Sequence, residues 1–149
     1  MACRIFLLVF FSFLLNSTIG QERTYNFLHF TVKEGLASDR IAGLAKDSKG
    51  LLWISTKRGL SYFDGLRFVE VNLNYGKEAF SNNLGRISID QKDRLWITTH
   101  NRGLLCYDPA LPPDQAVKSF YAKVSNGDLI KSDLYDVLAA KSGLVYFGG

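Results

Sequence analysis

Cysteine, histidine and proline are scarce: 149 residues hold two cysteines, two histidines and three prolines. Cys3 lies in an apolar leader and Cys106 in the body of the chain, so once the leader is removed Cys106 is alone. A disulfide framework and a metal site of paired cysteines are thereby excluded within one mature chain. His29 and His100 are far apart and share no metal-ligand spacing, and the serines and acids around them form no triad-like pattern. No metal, cofactor or catalytic residue is expected. One-signed charge is lacking too. The net charge of +4 falls to +3 when the first twenty residues, with Arg4 as their sole charged residue, are left out. The cations are scattered, which argues against nucleic-acid binding.

Only one long apolar run is present, from Ile5 to Leu15, interrupted by Ser12. It follows Arg4 and ends in small or polar residues up to Gly20, the pattern of a secretory signal peptide over residues 1–20. The run falls short of the roughly 20 residues that span a bilayer, which disfavours the alternative of an uncleaved anchor. The expected mature chain, 21–149, is exported to the periplasm and large enough for one modest domain. A membrane tether is expected only if a longer protein continues to a transmembrane helix.

What is abundant is repetition. "DSKGLLWISTKRGLSYFD", Asp47 to Asp64, is echoed by "DQKDRLWITTHNRGLLCYD", Asp90 to Asp108. Asp47 and Trp53 recur as Asp90 and Trp96, 43 positions on. After one inserted residue, Gly59, Leu60, Phe63 and Asp64 recur as Gly103, Leu104, Tyr107 and Asp108. A weaker third copy, "SDLYDVLAAKSGLVYFGG", sets Leu134, Val137, Gly143 and Tyr146 against Ile41, Leu44, Gly50 and Trp53. Asp93 takes the place of Gly50 in copy two.

Each copy divides into short apolar runs separated by turn residues, and no stretch of the mature chain has convincing helical periodicity. Strands are expected at about Ile41 to Lys46, Leu51 to Thr56, Leu60 to Phe63 and Leu66 to Val71. In copy two they are expected at about Leu84 to Ile89, Arg94 to Thr99, Leu104 to Tyr107 and Val117 to Ala122. Asp64-Gly65 suggests a tight hairpin with both residues at positive φ. Four antiparallel strands repeating at a period in the low forties describe a β-propeller blade. The expected fold is therefore all-β, with blade one at about 38–72, blade two at about 81–122 and the start of a third at about 131–149. A leucine-rich or parallel β-helix repeat is about half as long. Packing accounts for the repeated residues: Trp supplies a flat side chain for the blade interface, Gly admits close backbone approach, and Asp accepts turn N–H groups.

With "FTVKEGLASDRI" before it, "DSKGLLWISTKRGLSYFDG" resembles the two-component regulator propeller repeat. The resemblance runs from Phe30 to Gly149, specific in copy one, good in copy two and partial in copy three. Sialidase-type Asp boxes would put Asp five rather than six residues before Trp, and WD-type repeats would show a Trp-Asp pair. The resemblance implies a noncatalytic, periplasmic sensor region of a hybrid two-component system. Its ligand would be an oligosaccharide or another small extracellular molecule. Its partners would be further blades or downstream sensor-kinase regions, and a homodimer would form in the full-length sensor. The chain ends where copy three should continue, so a truncated reading frame is expected, with apolar blade faces open at both ends of a short stack. The alternative is a standalone exported propeller, either a carbohydrate-binding module or a glycan-active enzyme.

The recurrence of Asp47 with Asp90 and of Asp64 with Asp108 argues for structural turns rather than acid/base chemistry. Cys106 aligns with the strand residue Tyr62 and is expected to be buried and inert. His29 is expected in a strand and His100 in a solvated turn. Ligand contacts are expected from loops that gather at one end of a propeller: Lys57 and Arg58, His100, Asn101 and Arg102, and the lead-ins carrying Ser38, Asp39 and Arg40 and Ser81, Asn82 and Asn83. Guanidinium, ammonium and amide groups there suit carboxylated or sulfated sugars, since Arg is a planar bidentate donor.

Overall fold

The structure, a computed structural model, describes residues 24–74, 82–100, 103–120 and 133–149. The expected signal peptide (1–20), the rim residues Ser81, Asn101 and Arg102, and the final two residues of the strand expected to end at Ala122 lie outside the described residues. Among the described residues, ten strands form three antiparallel sheets. Blade one contains β1 (Ile41–Lys46), β2 (Leu52–Thr56), β3 (Gly59–Phe63) and β4 (Phe68–Val71) in simple up-and-down order. Blade two repeats the order with β5 (Leu84–Ile89), β6 (Leu95–Thr99), β7 (Leu104–Tyr107) and β8 (Val117–Phe120). The third unit pairs β9 (Asp136–Ala139) with β10 (Val145–Gly148). Blades one and two are four-stranded blades of a propeller.

Period-two alternation explains where the core sits. Along β2, Leu52, Ile54 and Thr56 share one face, opposite Phe63, Ser61 and Gly59 of β3, while Trp53 and Ser55 occupy the other. Both faces are apolar, so the core forms between sheets. Trp53 and Leu60 of blade one pack with Leu84, Ile87, Leu95, Ile97 and Leu105 of blade two. Trp96, Leu104 and Cys106 of blade two pack in turn with Leu134 and Val137 of the third unit. The same side of each sheet gives its aromatic residue to the next.

Polar bonds fasten these interfaces. Ser55 Oγ donates to the Gly85 carbonyl at 2.6 Å, and Ser88 Oγ accepts from Ala139 N at 2.9 Å. Asp93 sits at φ 57, the left-handed region that glycine fills at Gly50, φ 90. Its carboxylate reaches back to blade one and accepts from both Ser48 N and Ser48 Oγ. The substituted residue of copy two has become an inter-blade clamp.

Gly43 shows how closely the blades approach. A Cβ there would lie 2.9 Å from Ile87 N in blade two and 2.9 Å from Ser55 Oγ. Gly43→Val is therefore expected to destabilise the chain by about 1–3 kcal/mol, since neither backbone can yield without separating the strands. Urea melts check this: an unchanged midpoint would place the contact between blades elsewhere.

Two local expectations are corrected. Asp64-Gly65 opens the expected hairpin between β3 and β4, but without two positive φ angles: only Gly65 is positive, at 97°, among these two. Instead Asp64 Oδ1 accepts from Leu66 N at 2.8 Å and Arg67 N at 2.9 Å, making a longer loop that delays β4 to Phe68. His29 is not in a strand. Residues 24–30 have no regular secondary structure and are exposed, and a 3-10 turn (Val32–Glu34), capped reciprocally by Thr31 and Glu34, leads into the blade.

Candidate functional site

Register decides which loops meet. Ile41 opens β1 opposite Thr56, the last residue of β2, so Arg40 and the Lys57-Arg58 turn emerge at one end of blade one. Leu84 opens β5 opposite Thr99, which sets Asn82 and Asn83 beside His100 at the corresponding end of blade two. His100 N donates to the Asn83 carbonyl at 3.3 Å. Arg40, Lys57, Arg58 and Asn82 are exposed, and Asn83 and His100 are half-buried.

A repeated threonine shapes the turn that carries the cations. Thr56 Oγ1 donates to the Gly59 carbonyl at 3.0 Å and accepts from Arg58 N at 3.0 Å. Thr99 Oγ1 likewise donates to the Gly103 carbonyl at 2.8 Å. Both threonines are buried, so the turn is held from below while Lys57 and Arg58 face solvent. His100 is not the solvated turn residue expected: its Nδ1 lies 3.1 Å from Asp133 Oδ2, across the junction with the third unit.

Beside the Lys57-Arg58 turn lies a hollow of about 230 Å³, lined by Gly59, Glu70, Asn72, Leu73, Asn74 and Asn82 among others. Asn82 belongs to the expected rim, whereas Glu70, Asn72 and Asn74 were not anticipated. Their signal was present as alternation in "VEVNLN", which puts three polar side chains at every second position. Asn72 Oδ1 accepts from Asn74 N at 2.9 Å, fixing part of this wall. Amides that both donate and accept, with the Glu70 carboxylate in the same wall, can bind a polyhydroxylated molecule.

The repeated acids serve the scaffold under this rim. Asp47 accepts from Lys49 N, Leu51 N and, at 2.9 Å, from Trp53 Nε1. Asp90 accepts from Lys92 N, Arg94 N and, at 3.0 Å, from Trp96 Nε1, and pairs with Arg94 at 2.7 Å. Burial alone would raise the Asp90 carboxyl, yet its indole, guanidinium and backbone donors together hold it below the usual carboxylate range. Asp64 is also lowered, by the Arg67 and Leu66 amides, and Asp108 accepts from Ala110 N at 3.0 Å. Cys106 is buried and its thiol is pushed up to about 11, chiefly by desolvation, which leaves it protonated and unreactive at neutral pH.

Residues 35–58 match the two component regulator propeller family. Over 64 residues the chain is 36% identical to histidine kinase P4 of Formosa agariphila, a match covering 43% of this chain and 5% of that protein. Among solved structures it is similar to the extracellular domain of BT3049 from B. thetaiotaomicron, assigned as a hybrid two component system. The TM-score is 0.66 and the identity 21%, over 83% of this chain and 18% of that one. The extracellular domain of BT4673 from the same organism, assigned in one structure as a one component system, gives a TM-score of 0.56 at 20% identity, over 84% and 18%. At these identities the likeness to the solved structures is one of fold, and this chain spans a small part of each relative.

Proposed function

We propose that this chain, which carries the two component regulator propeller repeat, is an exported ligand-sensing segment of a two-component signalling protein and answers to an acidic oligosaccharide in the periplasm. The observation that carries this is the rim: Arg40, Lys57 and Arg58 emerge at one end of blade one, beside a hollow walled by Glu70, Asn72, Asn74 and Asn82. The fold shared with extracellular domains assigned to two component systems supports the sensor role. Arg58 would take a carboxylate or sulfate bidentately, Lys57 would add a point charge, and the asparagines would meet ring hydroxyls. The role is noncatalytic: Asp47, Asp64, Asp90 and Asp108 are engaged by backbone amides, and two of them also by indoles. Asn82, from the lead-in to blade two, and Gly59, from blade one, line the same hollow. A sugar seated there would bear on the angle between blades, and that angle is the signal to be passed on.

Calorimetry of the full chain, recovered after export, against uronic-acid and sulfated oligosaccharides tests this. Binding is expected, and the double substitution Lys57→Ala with Arg58→Ala should weaken it tenfold or more, at least about 1.4 kcal/mol. Unchanged affinity in the double variant, or no binding across both sugar classes, would count against the site. Turnover of a bound sugar would count against the noncatalytic role.

A further inference from the structure

The hollow beside the Lys57-Arg58 turn holds a charge that an acidic ligand does not call for. Its walls come from β3 and β4 of blade one and from the lead-in to blade two, so it sits at an internal junction. Glu70, in β4, is the one ionisable residue in that lining.

Glu70 is exposed, and nothing around it neutralises its carboxylate. Ion pairs among the described residues join Arg67 to Asp64, Arg94 to Asp90 and His100 to Asp133, and none of them reaches Glu70. Ser61 stands directly opposite Glu70 in the β3–β4 ladder, yet its buried Oγ has no hydrogen-bond partner. On the other flank is Gly59, which closes the cationic turn. A Cβ there would lie 3.7 Å from Glu70 Oε1, so the carboxylate rests over bare backbone one residue past Arg58. Lys57 and Arg58 are exposed too and belong to none of those ion pairs. Two cations and one anion thus share this end of blade one without cancelling.

A carboxylate left free at this place works against an uninterrupted polyanion. Like charges brought together weaken binding, and a site discriminates by such repulsion as much as by attraction. A run of adjoining acidic sugars that reached Lys57 and Arg58 would set its next acid against Glu70. A unit bearing an ammonium group would instead gain a charge-assisted hydrogen bond. At about 230 Å³ the hollow is smaller than the ~300 Å³ at which pockets for drug-sized molecules begin, so it suits a single sugar ring.

We infer, on the acidic-oligosaccharide reading of this rim, that Glu70 determines specificity: the ligand sets an acidic unit, held by Lys57 and Arg58, next to an amine-bearing unit seated in the hollow against Glu70. Asn72, Asn74 and Asn82 line the same hollow and meet the hydroxyls of that second unit. Chains that are acidic at every unit are the weaker ligands.

Calorimetry of the full chain after export tests this at about pH 6, above the ordinary range of carboxylates and below that of amines. Three oligosaccharides serve as probes. Each alternates uronic acid with glucosamine, and they differ only at the glucosamine nitrogen, which is a free amine, acetylated or sulfated. The Lys57-Arg58 turn by itself would favour the sulfated form, the most negative of the three. With Glu70 in the hollow the opposite order is expected: the free amine tightest, the acetylated form between, and the sulfated form about tenfold weaker than the amine, because the attraction lost and the repulsion gained add. Glu70→Gln keeps the shape and removes the charge, so in that variant the sulfated form should become the tightest. Lys57→Ala with Arg58→Ala should weaken all three and leave their order as in the wild type. Equal affinities in the wild type, a sulfated form that binds it tightest, or a Glu70→Gln variant that keeps the wild-type order would overturn the role of Glu70 and leave the acidic-ligand reading standing. Failure of all three to bind would overturn both.

Discussion

Replacing Trp53 by alanine is expected to cost about 3–5 kcal/mol, the range for truncating a buried aromatic side chain. A small domain holds a total of about 5–15 kcal/mol, so the variant should be unfolded or close to it. Trp53 is 2% exposed. Its ring centroid lies 5.2 Å from that of Tyr62 in its own blade and 5.8 Å from that of Tyr107 in the next, so one side chain serves both sheets. Its Nε1 donates to Asp47 Oδ2 at 2.9 Å, and truncation strips a buried carboxylate of that donor as well as opening a cavity. Trp53→Phe, which keeps most of the apolar area and loses the N–H, should fall between wild type and alanine. Equilibrium urea melts measure all three, and a Trp53→Ala midpoint equal to that of wild type would mean that the inter-blade core is not where stability resides.

Asp90→Asn is expected to cost about 2–4 kcal/mol at neutral pH and progressively less in acid. The Asp90 side chain is 8% exposed and receives two backbone amides, the Trp96 indole and the Arg94 guanidinium. An asparagine turns an NH₂ group toward some of these donors and leaves Arg94 without its countercharge. Arg94 itself is 34% exposed, so solvent screening trims the ionic part. The carboxyl is held below its ordinary value in the folded state, so between the folded pKa and the unfolded one the unfolded chain binds more protons. The Asp90 contribution is thus fully present above the unfolded value of ~3.9 and is lost as pH falls through the folded one. The stability gap between wild type and Asp90→Asn should be wide at neutral pH and close in acid. A gap that stays constant to the lowest pH at which the wild type still folds would contradict this role.

The repeat was legible because its residues recur for packing reasons. Trp53 with Asp47, and Trp96 with Asp90, stand six positions apart because that spacing carries the chain around a turn and returns an indole N–H to the carboxylate that caps it. Strand positions followed from alternation and turn residues. What escaped were contacts joining distant sequence. Nothing local in "QKD" says that Asp93 will reach Ser48, 45 residues earlier, or in "TTH" that His100 will meet Asp133. Asp64-Gly65 marked the β3–β4 hairpin but not its turn, because an Asx turn and a two-residue turn favour the same dipeptide; the choice depends on whether Leu66 and Arg67 can donate to the Asp64 carboxylate. The rim was half legible. Its cations stand out in the turn, whereas the hollow beside them depends on where β4 ends relative to the lead-in of the next blade.

At the centre is the claim that stability lives between blades rather than within them. The chain has two tryptophans, so in Trp53→Ala the emission of Trp96 reports on blade two alone. Trp96 makes its contacts on the face of blade two away from Trp53, toward Leu134 and Val137. If the blades share one core, the urea midpoint read by Trp96 must fall together with the loss of blade-one structure. A Trp96 transition left at its wild-type midpoint would show blade two standing without its neighbour, and would contradict the account.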